Sequence, residues 1–148
     1  MRTIFIIFIV IVIAGCKQSA KKVIDTYPGG QTMTEYIYPD KRDTSTYICK
    51  VYYKSGILKY ETQILNNLFI GEKKSFYENG SIERIEKLYQ PTLLTAEIYD
   101  CHITNYHRSG AKESEYQYRN DSLSGLATDY DSAGRKVRTA EYVDGKMN

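Results

Sequence analysis

The stretch "GEKKSFYENGSIERI", residues 71–85, predicts a β-hairpin and the start of a repeated pattern. Asn79-Gly80 stands between two runs that mix charged with apolar residues. Asn-Gly in that setting is a strong signal for a hairpin turn. An aromatic residue, Phe76, lies four positions before Gly80. An aromatic residue four positions before a turn glycine therefore defines the candidate repeat unit.

This unit recurs along most of the sequence. The same spacing joins Tyr52 to Gly56, Tyr106 to Gly110 and Tyr130 to Gly134. Successive glycines of this series lie 24, 30 and 24 residues apart. Eight positions after these glycines stand Ile64, Leu88, Tyr118 and Tyr142. A looser first copy opens at Gly30, so the sequence predicts about five copies with a period of about 24 residues.

Each copy has room for two strands of about eight residues and two turns. A second glycine, Gly71 or Gly125, follows 15 residues after Gly56 or Gly110. Alternate turns fall at "LNN" (65–67) and "RND" (119–121), and Asn and Asp tolerate left-handed backbone there. The predicted fold class is all-β, an elongated antiparallel meander of repeated β-hairpins.

Two segments fit this frame less simply. "SIERIEKLY", residues 81–89, carries Ile82, Ile85 and Leu88 at helical spacing, but the repeat frame favours a strand. The 30-residue interval holds an insertion near residues 89–98, where Pro91 predicts a loop or an outward bulge. Such an insertion in one copy of an array is a reasonable place for a partner contact.

The N-terminus, "MRTIFIIFIVIVIAGCKQS", predicts a secretory signal that includes a helix. Its apolar run, residues 4–14, is about half the length needed to span a bilayer. Residues 13–16, Ile-Ala-Gly-Cys, resemble the bacterial lipobox, in which the Cys is lipidated and becomes the first mature residue. We therefore expect a signal peptide at 1–15, a lipidated Cys16 with a flexible tether at 16–29, and the repeat domain at 30–148. Lys17, rather than Asp, follows the Cys and favours the outer membrane in a cell with two membranes.

The strings "GEKKSFYENGSI" and "GLATDYDSAGRK" resemble the MORN-repeat variant of bacterial proteins. The matching residues are Gly71, Phe76, Tyr77, Asn79, Gly80 and Ile82, and less fully Gly125, Tyr130 and Gly134. The resemblance covers about residues 30–148 and implies an elongated sheet of successive hairpins. Many members carry a lipoprotein signal, and many are labelled as the antitoxin component of a toxin–antitoxin system. Because Cys16 directs this chain out of the cytosol, an immunity-type role in the envelope fits better than a cytosolic antitoxin.

Composition and motifs favour binding over chemistry. The net charge is only +2 and no basic block indicates nucleic acid. No nucleophile elbow, phosphate loop or zinc-protease motif is present in the sequence, so we expect neither an enzyme nor a cofactor. Cys101, His102 and His107 offer too few ligands on one strand face for a structural zinc site. Cys49 and Cys101 are expected roughly 19 Å apart across four strands and therefore free.

Tyrosine is the compositional outlier, with 15 residues against 4 Phe and no Trp. Alternating tyrosines usually form the apolar face of a sheet, but exposed rows of aromatic rings also stack on sugars. The candidate ligand-binding positions are Tyr36, Tyr38, Tyr60, Tyr116, Tyr118 and Tyr142. The leading hypothesis is a membrane-anchored module that binds an envelope protein, and the alternative is glycan or peptidoglycan binding through the tyrosines. The structural repeat glycines are Gly30, Gly56, Gly71, Gly80, Gly110, Gly125 and Gly134.

Overall fold

The computed structural model describes residues 18–89, 92–93 and 100–148. The predicted signal peptide, Cys16 and most of the insertion lie outside these residues. The described part of the chain contains 13 strands and no helix. The strands are β1 Ala20–Thr26, β2 Thr32–Tyr38, β3 Thr46–Tyr52, β4 Leu58–Leu65, β5 Leu68–Phe76, β6 Ile82–Leu88, β7 Thr92–Leu93, β8 Cys101–Tyr106, β9 Lys112–Arg119, β10 Ser122–Leu123, β11 Gly125–Tyr130, β12 Lys136–Val143 and β13 Lys146–Met147.

All of these strands belong to one antiparallel sheet that follows the chain. The order is β1-β2-β3-β4-β5-β6-β8-β9-β11-β12-β13, while β7 pairs with β5 and β10 pairs with β9. Each long strand from β2 to β12 is hydrogen-bonded to a strand on either side, whereas β1 lies at the edge of the sheet and pairs with β2. The predicted all-β meander is therefore confirmed.

One type of turn closes five successive hairpins, and we call it the glycine turn. In its third copy the amide of Tyr77 donates to the carbonyl of Ser81 (2.9 Å) and the amide of Gly80 donates to the carbonyl of Tyr77 (2.8 Å). Gly80 has a φ of 86°, a left-handed conformation in which a side chain is strained. The same two hydrogen bonds close the turns at residues 27–31, 53–57, 107–111 and 131–135. A one-residue register shift follows each turn, as in a type I turn with a glycine bulge.

The alternate turns use two consecutive left-handed residues. Asn66 and Asn67 have φ values of 51° and 62°, as the "LNN" motif predicts. Residues 120–121 repeat this geometry with φ values of 49° and 60°. A third such turn, Asp144-Gly145, was not predicted and connects β12 to β13.

The structure bears on three local predictions: the conformation of residues 81–89, the tether and the insertion. "SIERIEKLY" forms strand β6, as the repeat frame predicts, because both neighbouring strands take up its backbone hydrogen bonds. The sheet starts earlier than residue 30: part of the predicted tether is strand β1, an edge strand paired with β2. Six of its seven residues are exposed, which explains why its composition is that of a linker. Within the insertion, β7 returns to the sheet and pairs with Leu68 and Phe69.

Paired residues in neighbouring strands point to the same side of a sheet, so rows of paired residues define its two faces. The two faces differ in their side chains. We call one the tyrosine face; one row across it runs Tyr36, Cys49, Thr62, Lys73, Glu86, Ile103 and Tyr116. We call the other the charged face; one row across it begins Glu35, Lys50, Glu61 and Lys74.

Cys101 and Ile103 are buried on the tyrosine face of β8, and a larger apolar cluster lies on the tyrosine face of β2 to β5. Tyr47, Cys49, Ile64 and Phe69 are buried there, with Ile64 only 1% exposed. Partly buried residues pack around them, namely Tyr36, Tyr38, Val51, Tyr60 and Leu88. Neighbouring side chains on this face thus cover one another from solvent. The large tyrosine rings supply much of the surface that covers the apolar side chains.

A series of tyrosine hydroxyls ties neighbouring glycine turns together. The first residue of each of the first three turns donates its hydroxyl to the carbonyl before the next turn. The contacts are Tyr27 to Tyr52, Tyr53 to Phe76 and Tyr77 to Tyr106, each 2.8 Å. At the fourth turn this position is His107, and its Nε2 is buried with no hydrogen-bond partner among the described residues. The hydroxyl series therefore ends after the third turn.

Tyr77→Phe should lower the free energy of unfolding by about 1 kcal/mol, because a part-buried carbonyl loses its donor. Urea denaturation of the full-length protein measures this change. Tyr106→Phe is the matched control, since the Tyr106 hydroxyl makes no hydrogen bond with the residues that the structure describes. Equal losses in the two variants would show that the hydroxyl series contributes nothing to stability.

Candidate functional site

The structure places the six candidate tyrosines on the tyrosine face, all half-buried. Tyr36, Tyr38 and Tyr60 belong to the N-terminal half, where they pack against the core. The Tyr47 ring lies 4.4 Å from Tyr36 and 5.6 Å from Tyr38 between centroids. The Tyr60 hydroxyl lies 3.9 Å from the Cys49 sulfur. These three tyrosines are engaged in holding the sheet together.

The other three candidates lie in the C-terminal half, outside the cluster on β2 to β5, and Tyr118 and Tyr116 are paired with the buried Cys101 and Ile103. Tyr116 and Tyr118 meet edge to face with centroids 6.0 Å apart. Tyr142 lies on β12, opposite Gly125 on one side and Met147 on the other. The structure therefore separates the predicted set into two groups along the sheet.

The charged face carries carboxylates held by cations and tyrosine hydroxyls. Glu35 is 2% exposed and accepts from the Tyr52 hydroxyl at 2.5 Å and from Lys21 at 2.5 Å. Burial pushes the pKa of Glu35 upward, but these hydrogen bonds outweigh it and leave the pKa below its ordinary value. Glu115 is held in the same way by Lys112 and then by Tyr130, which also lower its pKa. Both carboxylates are thus kept ionised.

A depression lies on the C-terminal half of the charged face, and we call it the Gly125 groove. Its volume is about 810 Å³. Apolar and polar groups meet in it: Leu126 is 61% exposed and Tyr89 is 50% exposed. The Tyr89 hydroxyl donates to Gln117 Oε1 at 2.5 Å. The residues that line the groove are Lys87, Tyr89, His102, Glu115, Gln117, Gly125, Leu126, Thr128, Lys136 and Glu141.

The groove depends on the absence of a side chain at Gly125. A Cβ there would lie only 1.9 Å from Gln117 Nε2, and the φ of 78° disfavours other residues. The carboxamide of Gln117 therefore occupies the space beside the glycine and accepts from Tyr89. The absence of a side chain at Gly125 and the position of the Gln117 carboxamide together shape the floor of the groove.

The same repeat position near Gly71 forms a smaller depression of about 320 Å³, with Gln63 in the place of Gln117. There, Glu72 and Lys74 stand where the Gly125 groove has Leu126 and Thr128. The two charged side chains pair with each other at 3.5 Å. The later copy exposes an apolar side chain at that position instead.

Among the described cysteines and histidines, His102 lines the groove, and Cys49, Cys101 and His107 lie outside its lining. Cys49 on β3 and Cys101 on β8 are four strands apart, and both are free and buried. Burial raises the pKa of Cys101 to about 11, so its reactive thiolate form is scarce. His102 points to the charged face and lines the groove, whereas Cys101 points to the tyrosine face. No three His, Cys, Asp or Glu side chains within residues 18–89 and 100–148 are arranged to hold a metal ion.

Comparison with known proteins does not assign this chain to a family. No family model, curated protein or solved structure matches the chain. In the described part of the chain, no helix is long and apolar enough to cross a membrane.

The sequence did not predict the Gly125 groove. Gly125 was identified only as a repeat glycine, and Gln117 and Leu126 were not singled out. One signal was available: Leu126 occupies a repeat position that is Glu72 in the earlier copy, and an apolar residue replacing a charged one on an exposed face indicates a contact surface.

Gly125→Ala should destabilise the protein more than Gly110→Ala. Both variants place a Cβ on left-handed backbone, which costs about 1 kcal/mol, but a Cβ at Gly110 meets no atom within 4 Å. Gly125→Ala must also expel Gln117 and break its hydrogen bond with Tyr89, which adds about 1 kcal/mol. Urea midpoints of the two variants provide the comparison, and equal midpoints would contradict the proposed shape of the groove floor.

Proposed function

We propose that this protein is a lipid-anchored envelope lipoprotein of the MORN-variant type that binds a partner protein through its β-repeat array. The observation that carries the proposal is the Gly125 groove, where exposed apolar side chains adjoin ordered polar groups on an open sheet. Repeat arrays bind through extended faces of this kind. An immunity-type role, in which the partner is neutralised, belongs to the same proposal.

The position of β1 supports the anchor. β1 begins at Ala20, four residues after Cys16. Four extended residues span at most about 14 Å, so a lipid on Cys16 would hold this edge of the sheet close to the membrane. The groove lies on β6, β8, β9, β11 and β12, toward the other end of the sheet. It would therefore remain available to a partner in the envelope.

The chemistry of the groove favours a protein segment over a compact small molecule. Its lining alternates cations and carboxylates, Lys87 and Lys136 against Glu115 and Glu141, around Leu126 and Tyr89. One apolar side chain of a partner can pack on Leu126 while its polar groups meet these charges. An exposed aromatic residue such as Tyr89 is a frequent anchor at protein interfaces.

Glycan binding is the second candidate, and one observation favours it. Tyr116 and Tyr118 present half-buried rings in an edge-to-face pair, outside the cluster on β2 to β5 and opposite the buried Ile103 and Cys101. Rings in such a position offer surface on which a sugar can stack. Tyr36, Tyr38 and Tyr60 are less suited, because they pack in the core cluster.

Cys16→Ser should release the protein from the membrane fraction and abolish incorporation of a labelled fatty acid. The reason is that acyl chains supply the binding energy, about 0.8 kcal/mol for each buried CH₂. Cys49→Ser, a change at a buried strand thiol, should leave both properties intact. Continued acylation or membrane retention of the Cys16→Ser protein would refute the anchor.

A photocrosslinking amino acid at position 126 should capture one partner protein in the native host. The same amino acid at position 72, the equivalent place in the smaller depression, is the matched control and should capture little. Leu126→Asp should lower capture of that partner at a neighbouring crosslinking position at least about tenfold, because it removes an apolar contact near the centre of the site. Capture that is equal at both positions, and unaffected by Leu126→Asp, would rule out the groove as the binding site.

The glycan alternative gives a different result in the same host. Retention of the purified protein on cell-wall material, lost in Tyr116→Ala and Tyr118→Ala but kept in Leu126→Asp, would replace partner binding with glycan binding. The aromatic substitutions leave the groove side chains on the opposite face unchanged.

A further inference from the structure

The strands pair in one fixed register from each copy to the next. At all four junctions, the residue four positions after one turn glycine lies opposite the residue five positions before the next. The pairs are Thr34–Val51, Tyr60–Ser75, Arg84–Asn105 and Ser114–Asp129. Within each hairpin these residues are also paired with one another. Together the pairs form one row that crosses ten strands on the tyrosine face. The row runs Asp25, Thr34, Val51, Tyr60, Ser75, Arg84, Asn105, Ser114, Asp129 and Arg138.

The two ends of this row carry opposite charges. Asp25 lies on the outer strand β1, and Arg138 lies on β12 at the other end of the sheet. Both side chains are exposed, that of Arg138 by 69%. Arg138 already pairs with Asp129 at 2.8 Å, and its guanidinium has further donors for a second carboxylate.

We infer that the β12 edge of one copy of this chain binds the β1 edge of a second copy, in the register that joins the internal repeats. Arg138 then lies opposite Asp25 of the second copy. The contact is head-to-tail, so it leaves a free β1 edge and a free β12 edge at the ends and extends into a chain of molecules. This proposal is independent of the lipid anchor and of the groove partner.

The remaining pairs in this register are also compatible. A bulge at Ile24 shifts β1 by one residue, so Val23 and Lys22 take the next positions. Thr139 then lies opposite Val23, two β-branched residues that suit a pleated surface. Ala140 lies opposite Lys22, and Glu141 comes near Lys21. Val23 is 48% exposed, so its pairing also covers an apolar side chain.

Among the described residues, β1 pairs only with β2, so its outer side has no strand partner there. Within the described residues, β13 pairs only with Tyr142 and Val143, and the amide of Asn148 donates to the carbonyl of Glu141 (2.9 Å). The outer side of β12 from Arg138 to Ala140 therefore has no strand partner in the described chain. Unpaired strand edges are templates for strand addition. β5 also contains a bulge, opposite β4, and its other side is still paired, with β6 from Glu72 onward and with β7 at Leu68 and Phe69.

Charge also selects head-to-tail pairing over a two-fold contact between two β12 edges. β12 carries Lys136 and Arg138 near its start, with no acidic residue from 136 to 140. Two such edges would bring four cations into one short stretch, and like charges directly opposite one another destabilise a sheet. Joining β12 to β1 places a carboxylate there instead.

Paired cysteines test the contact in the full chain, purified in detergent. Lys22→Cys with Ala140→Cys should give a ladder of disulfide-linked dimers, trimers and larger species on mild oxidation. The two positions lie nine strands apart within one molecule, roughly 43 Å, so a disulfide between them joins two molecules. Lys22→Cys with Lys59→Cys, an exposed position in the middle of the sheet, is the matched control and should give no ladder.

Charge exchange tests the register. Asp25→Arg alone and Arg138→Asp alone should each weaken self-association, measured by sedimentation, at least about tenfold. The two changes in one chain should restore it, because each junction again pairs opposite charges. A merely structural effect of either substitution would not be rescued.

Three results would overturn the proposal. One is a cysteine ladder no stronger than that of the Lys59→Cys control. Another is dimers formed by Ala140→Cys alone at the same yield, which would show a two-fold contact between β12 edges. The third is self-association that the charge exchange fails to restore.

Discussion

The five-residue glycine turn is the constraint on which the rest of this structure depends. Two backbone hydrogen bonds and one left-handed glycine close each turn, and the bulge that follows sets which residues face each other across the hairpin. The junctions between copies also share one register, although the segments that connect them differ in length. The regularity within each hairpin thus comes from a local conformational requirement.

In the described part of the chain, one sheet buries its apolar side chains without a second layer of helices or strands. The tyrosine face does so through large rings that shield Ile64 and Phe69. The charged face holds polar residues in satisfied contacts, as the two hydrogen bonds to the buried Glu35 show. Stability therefore comes from many neighbour-to-neighbour contacts, in the manner of repeat proteins. One or two substitutions can then change the surface of a copy and leave the frame intact, and Leu126 in place of a carboxylate is such a change.

The fold was predictable because its determinants are local and periodic. Turn glycines at regular spacing and the Asn and Asp pairs identified the hairpins, and the repeat frame correctly overruled the helical spacing of residues 81–89. Strand β1 was not recognised, because an exposed edge strand has the polarity of a linker. The Gly125 groove was out of reach for a different reason. It depends on where the Gln117 side chain lies relative to a glycine eight residues away in sequence, and on Tyr89 from another strand. Such contacts follow from three-dimensional register and not from any single motif.

The end of the hydroxyl series at His107 has a mechanical consequence. Three hydroxyl-to-carbonyl hydrogen bonds link the first four glycine turns in series, while the fourth turn, which begins at His107, has no such bond to the fifth among the described residues. The last hairpin, β11 and β12, therefore lacks one contact that joins the earlier hairpins to their neighbours. Under tension or in transient opening, we expect this hairpin to separate from the sheet first. The N-terminal hairpins would then remain assembled while the C-terminal strands open and reclose.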